Sequence, residues 1–144
     1  LIAIASDYFD GKLARALHTA SARGLLFDHG TDFVFVTTAL FALSTIDLAP
    51  LLLPLLIVVA FSQYVLDSYF LFKQKQLRMS FLGRWNGVLY FVPIVFLATS
   101  RLPFLEGAQN LLNTTIIYFN YILVFSTLAS IFDRAIAPLR ASEN

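Results

Sequence analysis

Asp7 and Asp10 stand three residues apart, and Asp28 and Asp32 stand four apart. On a helix either spacing puts both carboxylates on one face. These four are among the nine acidic residues of the chain and fall within residues 7–32. Four carboxylates that approach one another repel strongly unless cations compensate. Oxygen-only ligands suit hard divalent ions such as Mg²⁺ or Mn²⁺. Two such ions could clamp a diphosphate and stabilise both the attacking and the leaving oxygen of a displacement. Gly11, Ala14 and Gly24 lie among the acids, where small side chains would admit a nucleotide or a neighbouring backbone.

The elements that must hold these groups follow from composition. Of the 144 residues, 58% are apolar and only 13% charged. The mean hydropathy is +0.75. A soluble domain carries about 25% charged residues, so this composition points to an integral membrane protein. It excludes a secreted disulfide scaffold, a nucleic-acid-binding domain and a disordered chain. With no cysteine there is no disulfide, no thiolate metal site and no cysteine nucleophile. A net charge of +1 says nothing about partners.

A spanning helix needs about 20 mostly apolar residues. Four long uncharged runs stand out: Phe33–Ile46, Leu48–Leu66, Trp85–Ser100 and Gly107–Phe132. The first is extendable back through an expected turn at Asp28–Asp32. A fifth, less apolar helix is expected from Leu1 to about Ala22, carrying Asp7, Asp10, Lys12 and Arg15. A short turn would set it antiparallel to its neighbour, so that both acid pairs face one cleft. The β-branched run Phe33–Thr38 invites a strand, but only helices and closed barrels satisfy their backbone in lipid. Barrel strands would alternate in polarity, and these runs do not. The fold class is thus all-α: a polytopic transmembrane bundle forming a single membrane domain over residues 1–144. Pro50 suits a helix start, and Pro54 either opens that helix or kinks it. Pro93 should kink its segment, and Pro138 should end the last helix. The chain opens inside the apolar stretch Leu1–Ala5 with no charged region before it, unlike a signal peptide; part of the native N-terminus is expected to precede it.

Charge placement sets orientation. The connections hold His18, Arg23 and His29; then Asp47; then Lys73, Lys75, Arg78 and Arg84; then Arg101 with Glu106; and finally Arg134 and Arg140. Basic and non-basic connections alternate as five spans require. The basic side, with the acid cluster, is read as cytoplasmic, which is the inner face of the inner membrane if the source is bacterial.

The acid-bearing stretch reads Asp7-x-x-Asp10-Gly11-x-x-Ala14-Arg15, eight residues, then Gly24-x-x-x-Asp28-x-x-x-Asp32. This resembles the signature of the CDP-alcohol phosphotransferase family, with every defining position filled. A lone DxxD would be weak; eight residue types at fixed spacing are specific. The resemblance implies a six-helix membrane enzyme, usually a homodimer, with the first helix missing from this chain. It implies transfer of a phosphate-linked group from a CDP-linked donor to an alcohol, with release of CMP. By position, Asp7, Asp10 and Asp28 resemble metal ligands, and Asp32 both a metal-site member and the general base. Asp10, Gly11, Ala14, Arg15 and Gly24 would surround the CDP moiety, and Mg²⁺ or Mn²⁺, as two ions, would be the cofactor.

Other residues carry lesser expectations. The cluster from Lys73 to Arg84 reads first as a topology signal with attraction to anionic headgroups. Ser80, Gly83 and Arg84 loosely match a small and basic pair that helps hold the acceptor in relatives. Arg84 is the first acceptor-binding candidate and Arg134 the second; Arg101 belongs on the opposite side. His18 and His29 read as solvated or hydrogen-bonded loop residues. The string Leu26–Asp32 is similar to the choline and ethanolamine phosphotransferase branch. Asp67, beside Gln63, Tyr64 and Ser68, reads as structurally paired. Asn113 and Asn120 share a helix face suited to interhelical hydrogen bonds. Trp85 and Tyr90 read as interfacial anchors.

The favoured function is phosphatidyl transfer from CDP-diacylglycerol to a small polar alcohol in phospholipid synthesis. The alternative within the class uses CDP-choline or CDP-ethanolamine with diacylglycerol. Outside it stand a cation transporter, which would spread its acids along a pathway, and an inactive partner subunit.

Overall fold

The computed structural model describes residues 22–66 and 81–141. Within them the chain forms α1 (Ala22–Ser44), α2 (Leu52–Leu66), α3 (Phe81–Leu89), α4 (Phe91–Ser100), a 3₁₀ turn over Pro103–Ala108, and α5 (Gln109–Ala141). No strand occurs among the described residues, and the β-branched run at Phe33 lies inside α1. The expected helix from Leu1 to about Ala22 falls outside them, save that Ala22 already belongs to α1.

Several boundaries differ from the sequence expectation. The Asp28–Asp32 stretch is helix, not a turn. Thr31, whose hydroxyl could have served a turn, donates instead back to the Asp28 carbonyl at 2.8 Å. Gly30 has no positive φ. The second run becomes helical only at Leu52, after Pro50, and Pro54 sits in its first turn, where a missing N–H costs nothing. Pro93 interrupts its segment as expected. It offers no N–H to the Leu89 carbonyl, and the helix breaks at Tyr90 between α3 and α4. Pro138 does not end α5, which continues to Ala141; a fixed φ near −65° is itself helical.

The α1–α2 turn is a helix cap of the Schellman type. The Leu48 N–H bonds the Leu43 carbonyl at 3.0 Å, and the Asp47 N–H bonds that of Ser44 at 3.4 Å. Asp47 takes φ 58°, the left-handed conformation such caps need. Leu43 and Leu48 are both buried and join the central cluster with Val36, Leu40, Leu53, Ile57 and Leu123.

Helix α5 shows how the bundle meets its surroundings. Ile116, Asn120, Leu123, Thr127 and Ser130 recur at helical spacing and are buried. Leu111, Tyr118, Ile122, Phe125 and Phe132 form an exposed apolar stripe. Polar groups inside and large apolar groups outside is the arrangement a lipid solvent favours. Phe81–Ser100 and Pro103–Ile136 are long and apolar enough to cross a membrane.

Three hydrogen bonds of buried polar side chains tie separate segments together. Asn120 Nδ2 donates to the Leu48 carbonyl at 2.9 Å. Ser126 Oγ donates to Asn86 Oδ1 at 2.6 Å. The Tyr90 hydroxyl lies 2.8 Å from Thr127 Oγ1. Asn120 thus does what its face predicted. Asn113 is half-buried, and its Oδ1 has no hydrogen-bond partner. Tyr90 is no interfacial anchor: it is 8% exposed, whereas Trp85 is 53% exposed. Turned into the bundle, the Tyr90 hydroxyl is satisfied by Thr127.

Candidate active site at one end of the bundle

Helices α1 and α2 run antiparallel, so the start of α1 meets the end of α2. Phe33 stacks on Phe61 at 4.1 Å between ring centres and 7° between planes. One turn toward the end, His29 stacks on Tyr64 at 6.3 Å and 24°. Gln63 Nε2 donates to the Ile131 carbonyl of α5 at 3.4 Å. The Arg134 guanidinium lies over the Tyr64 ring, 5.2 Å from its centre. The α3–α4 segment runs antiparallel to α5, since Asn86 pairs with Ser126 and the chain after Ser100 turns back into α5. The beginning of α3 therefore stands at the same end as Arg134.

Asp28 and Asp32 project from α1 at this end, and both are exposed. Asp28 is 51% exposed, so a ligand can reach its carboxylate; His29 Nδ1 lies 3.8 Å from Asp28 Oδ2. The four-residue spacing on an intact helix puts Asp28 and Asp32 on one face. Gly24, one turn earlier, shares that face and belongs to the first turns of α1. Asp7, Asp10, Gly11, Ala14 and Arg15 lie outside the described residues, as do His18, Asp67, Lys73, Lys75, Arg78 and Ser80. Among the described residues no group of three metal-ligating side chains occurs. The donor chemistry of the described pair fits a hard cation: two solvent-exposed carboxylates one helical turn apart.

Both acceptor candidates are at this end. Arg84, in the first turn of α3, is exposed; Arg134 is half-buried against Tyr64. Arg101 ends α4 at the opposite end, as its position in the charge pattern required. Between α2 and α5 lies a groove of about 400 Å³ lined by Val58, Val59, Ser62, Gln63, Leu66 and Ile131. It puts an apolar flank beside the polar cluster.

Tyr64 is the residue whose place the sequence concealed. It is 7% exposed and touches both the α1 histidine and the α5 arginine. The available signal was its position at the end of a long apolar run, next to Gln63 and near Asp67.

No curated protein and no solved structure matched the chain at a significant level. The sequence profile described as CDP-alcohol phosphatidyltransferase matches residues 1–132, which include the whole aspartate motif and the helices that surround Asp28 and Asp32. The members of that family are membrane proteins that transfer a phosphatidyl group from a CDP-alcohol, and this chain belongs to the CDP-alcohol phosphatidyltransferase family.

Proposed function

We propose that the protein moves a phosphatidyl group from CDP-diacylglycerol to a small polar alcohol and releases CMP, at the cytoplasmic leaflet and with Mg²⁺ or Mn²⁺. The carrying observation is the open Asp28–Asp32 face of α1 within a chain that matches the family over residues 1–132. Asp7, Asp10, Asp28 and Asp32 would hold the metal, as two ions. When bound, these would neutralise the diphosphate charge. Asp10, Gly11, Ala14, Arg15 and Gly24 would surround the CDP moiety, and Arg84 and Arg134 would hold the acceptor. The active form would be a homodimer.

The chemistry asks little of the protein beyond positioning and one proton transfer. The acceptor hydroxyl is a weak nucleophile at neutral pH. The Asp32 carboxylate takes its proton as its oxygen attacks the phosphorus remote from cytidine. The bond from that phosphorus to the bridging oxygen breaks, and CMP leaves with the electron pair. The exposed end of α1 would leave room for both substrates, and the apolar groove between α2 and α5 would suit the lipid part of the donor.

A second reading exchanges the roles: CDP-choline or CDP-ethanolamine as donor and diacylglycerol as acceptor. The Leu26–Asp32 string, similar to the choline and ethanolamine phosphotransferase branch, favours it. One assay separates the readings. Membranes carrying the protein, with Asp32→Asn as control, are given CDP-diacylglycerol and a panel of serine, glycerol 3-phosphate, inositol and inositol phosphate. CMP release with one acceptor is expected, lost on chelation and restored by Mg²⁺. Release only from CDP-aminoalcohols with diacylglycerol would establish the second reading. No release from any pairing by folded protein would sink both and favour cation transport or a partner-subunit role.

A further inference from the structure

The Arg134 guanidinium rests on an aromatic face, and that face is itself held from two sides. Tyr64 is buried, with Phe61 tilted against it at 6.0 Å and His29 stacked at 6.3 Å. Phe61 is fixed in turn by its close stack on Phe33. One position earlier, Gln63 bonds the Ile131 carbonyl and pins the end of α2 to α5, three residues before Arg134. An arginine in the last turns of a helix carries its head on a flexible stem. Here the Tyr64 ring lies under that head, and a guanidinium over a tyrosine is drawn to the negative face of the ring. Through His29 the same ring reaches Asp28, so a single aromatic side chain links the carboxylate face of α1 to the cation of α5.

We propose that Tyr64 is a positioning residue that holds Arg134 ready for an anionic group on the acceptor alcohol, a carboxylate or a phosphate. This rests on the CDP-diacylglycerol reading above. A planar guanidinium held in one orientation binds either anion through two parallel hydrogen bonds. Tyr64 touches no reacting atom, so its loss should weaken acceptor binding and spare the chemical step.

The test is steady-state CMP release with the acceptor that proves active, measured for Tyr64→Met, Tyr64→Phe and Arg134→Gln. Methionine fills similar space without a ring face; phenylalanine keeps the face. Tyr64→Met should raise KM for the acceptor about five- to thirtyfold, with kcat and the KM for CDP-diacylglycerol within about twofold. Tyr64→Phe should stay near wild type. Arg134→Gln should raise acceptor KM at least as much, and adding Tyr64→Met to it should change nothing further. An unchanged acceptor KM in Arg134→Gln overturns the proposal even if the Tyr64 variants fail to fold. So does a rise in donor KM instead, an equal loss in Tyr64→Phe, or additive effects in the double variant. Wild-type activity abolished by Asp32→Asn with unaltered Tyr64→Met kinetics would overturn this inference alone. No CMP release from any CDP-diacylglycerol pairing would overturn it together with the reading it rests on.

Discussion

Where α1 turns into α2, the chain closes on itself through its backbone. The Leu43–Leu48 bond caps the helix, Asn120 ties the turn to α5, and leucines fill the space beneath. At the other end the helices meet through long side chains: His29 on Tyr64, Arg134 over the same ring, and Asp28 and Asp32 open to solvent. The first end holds the fold through its backbone and Asn120, with Asp47, Arg101 and Glu106 at its surface. The second leaves two carboxylates and the arginine of α3 exposed. Packed, satisfied backbone gives rigidity, while exposed acids are tolerable only where something binds them or water covers them. The tight end is thus the base against which the open end can be held in register. Substitutions at the two ends should therefore fail in different currencies, stability at one and turnover at the other.

The largest effect should come from the open end. Asp32→Asn removes a base and leaves an amide of the same shape on an exposed face. CMP release should fall about 10²- to 10⁴-fold, while the midpoint of thermal unfolding in detergent moves by no more than a degree or two. A variant that kept its activity would dissolve the contrast, because Asp32 would then be an ordinary solvated acid.

Next comes the closed end. Asn120 is wholly buried, and its amide serves the Leu48 carbonyl at 2.9 Å. Asn120→Ala strands that carbonyl and should cost about 1–2 kcal/mol, read as a lower unfolding midpoint. KM for both substrates should stay as in wild type. A change in KM without a change in stability would show that the two ends are not separable.

How far the sequence revealed these ends depends on the range of the interactions. The aspartate spacings are local: Asp28 and Asp32 share a helix face as their spacing predicts, while Asp7 and Asp10 lie outside the described residues. The apolar runs located the helices, and the alternating charges put Arg84 and Arg134 at the Asp28 end and Arg101 away from it. What stayed hidden is lateral. Phe81–Leu89 does carry Arg84 and Asn86 among apolar residues, yet nothing in that spacing names Ser126 as the partner of Asn86 or turns Tyr90 inward. The ring contact between Tyr64 and Arg134 joins residues 70 positions apart in helices that are not consecutive. Boundaries slipped for a simpler reason. Asp28–Asp32 contains Gly30 and Thr31, which suit turns, yet the backbone stays helical and Thr31 bonds back into it.

Asp47 offers a smaller test, in the stabilising direction. Its φ of 58° is a conformation that costs a residue bearing a Cβ more than it costs glycine. Asp47→Gly should raise stability by about 0.5 kcal/mol, the strain relieved being partly offset by the greater freedom of glycine in the unfolded chain. The gain would appear as a slightly higher unfolding midpoint with turnover unaffected. A lower midpoint would mean that the Asp47 side chain serves the cap and that the closed end depends on more than its backbone.

Arg101 should give the smallest effect. It ends α4, exposed, on the side of the bundle away from Asp28. Arg101→Gln removes the same charge as Arg134→Gln and should leave kcat and both KM values at wild type. If the two substitutions weakened acceptor use equally, the arginines would be acting through the protein's overall field and not through place. Exposed charges more than about 10 Å from a ligand are largely screened at 0.1 M salt, so such a shared loss should fade as salt is raised. A loss in Arg134→Gln that persists in salt, beside an inert Arg101→Gln, would tie acceptor recognition to the ring-held guanidinium at the open end.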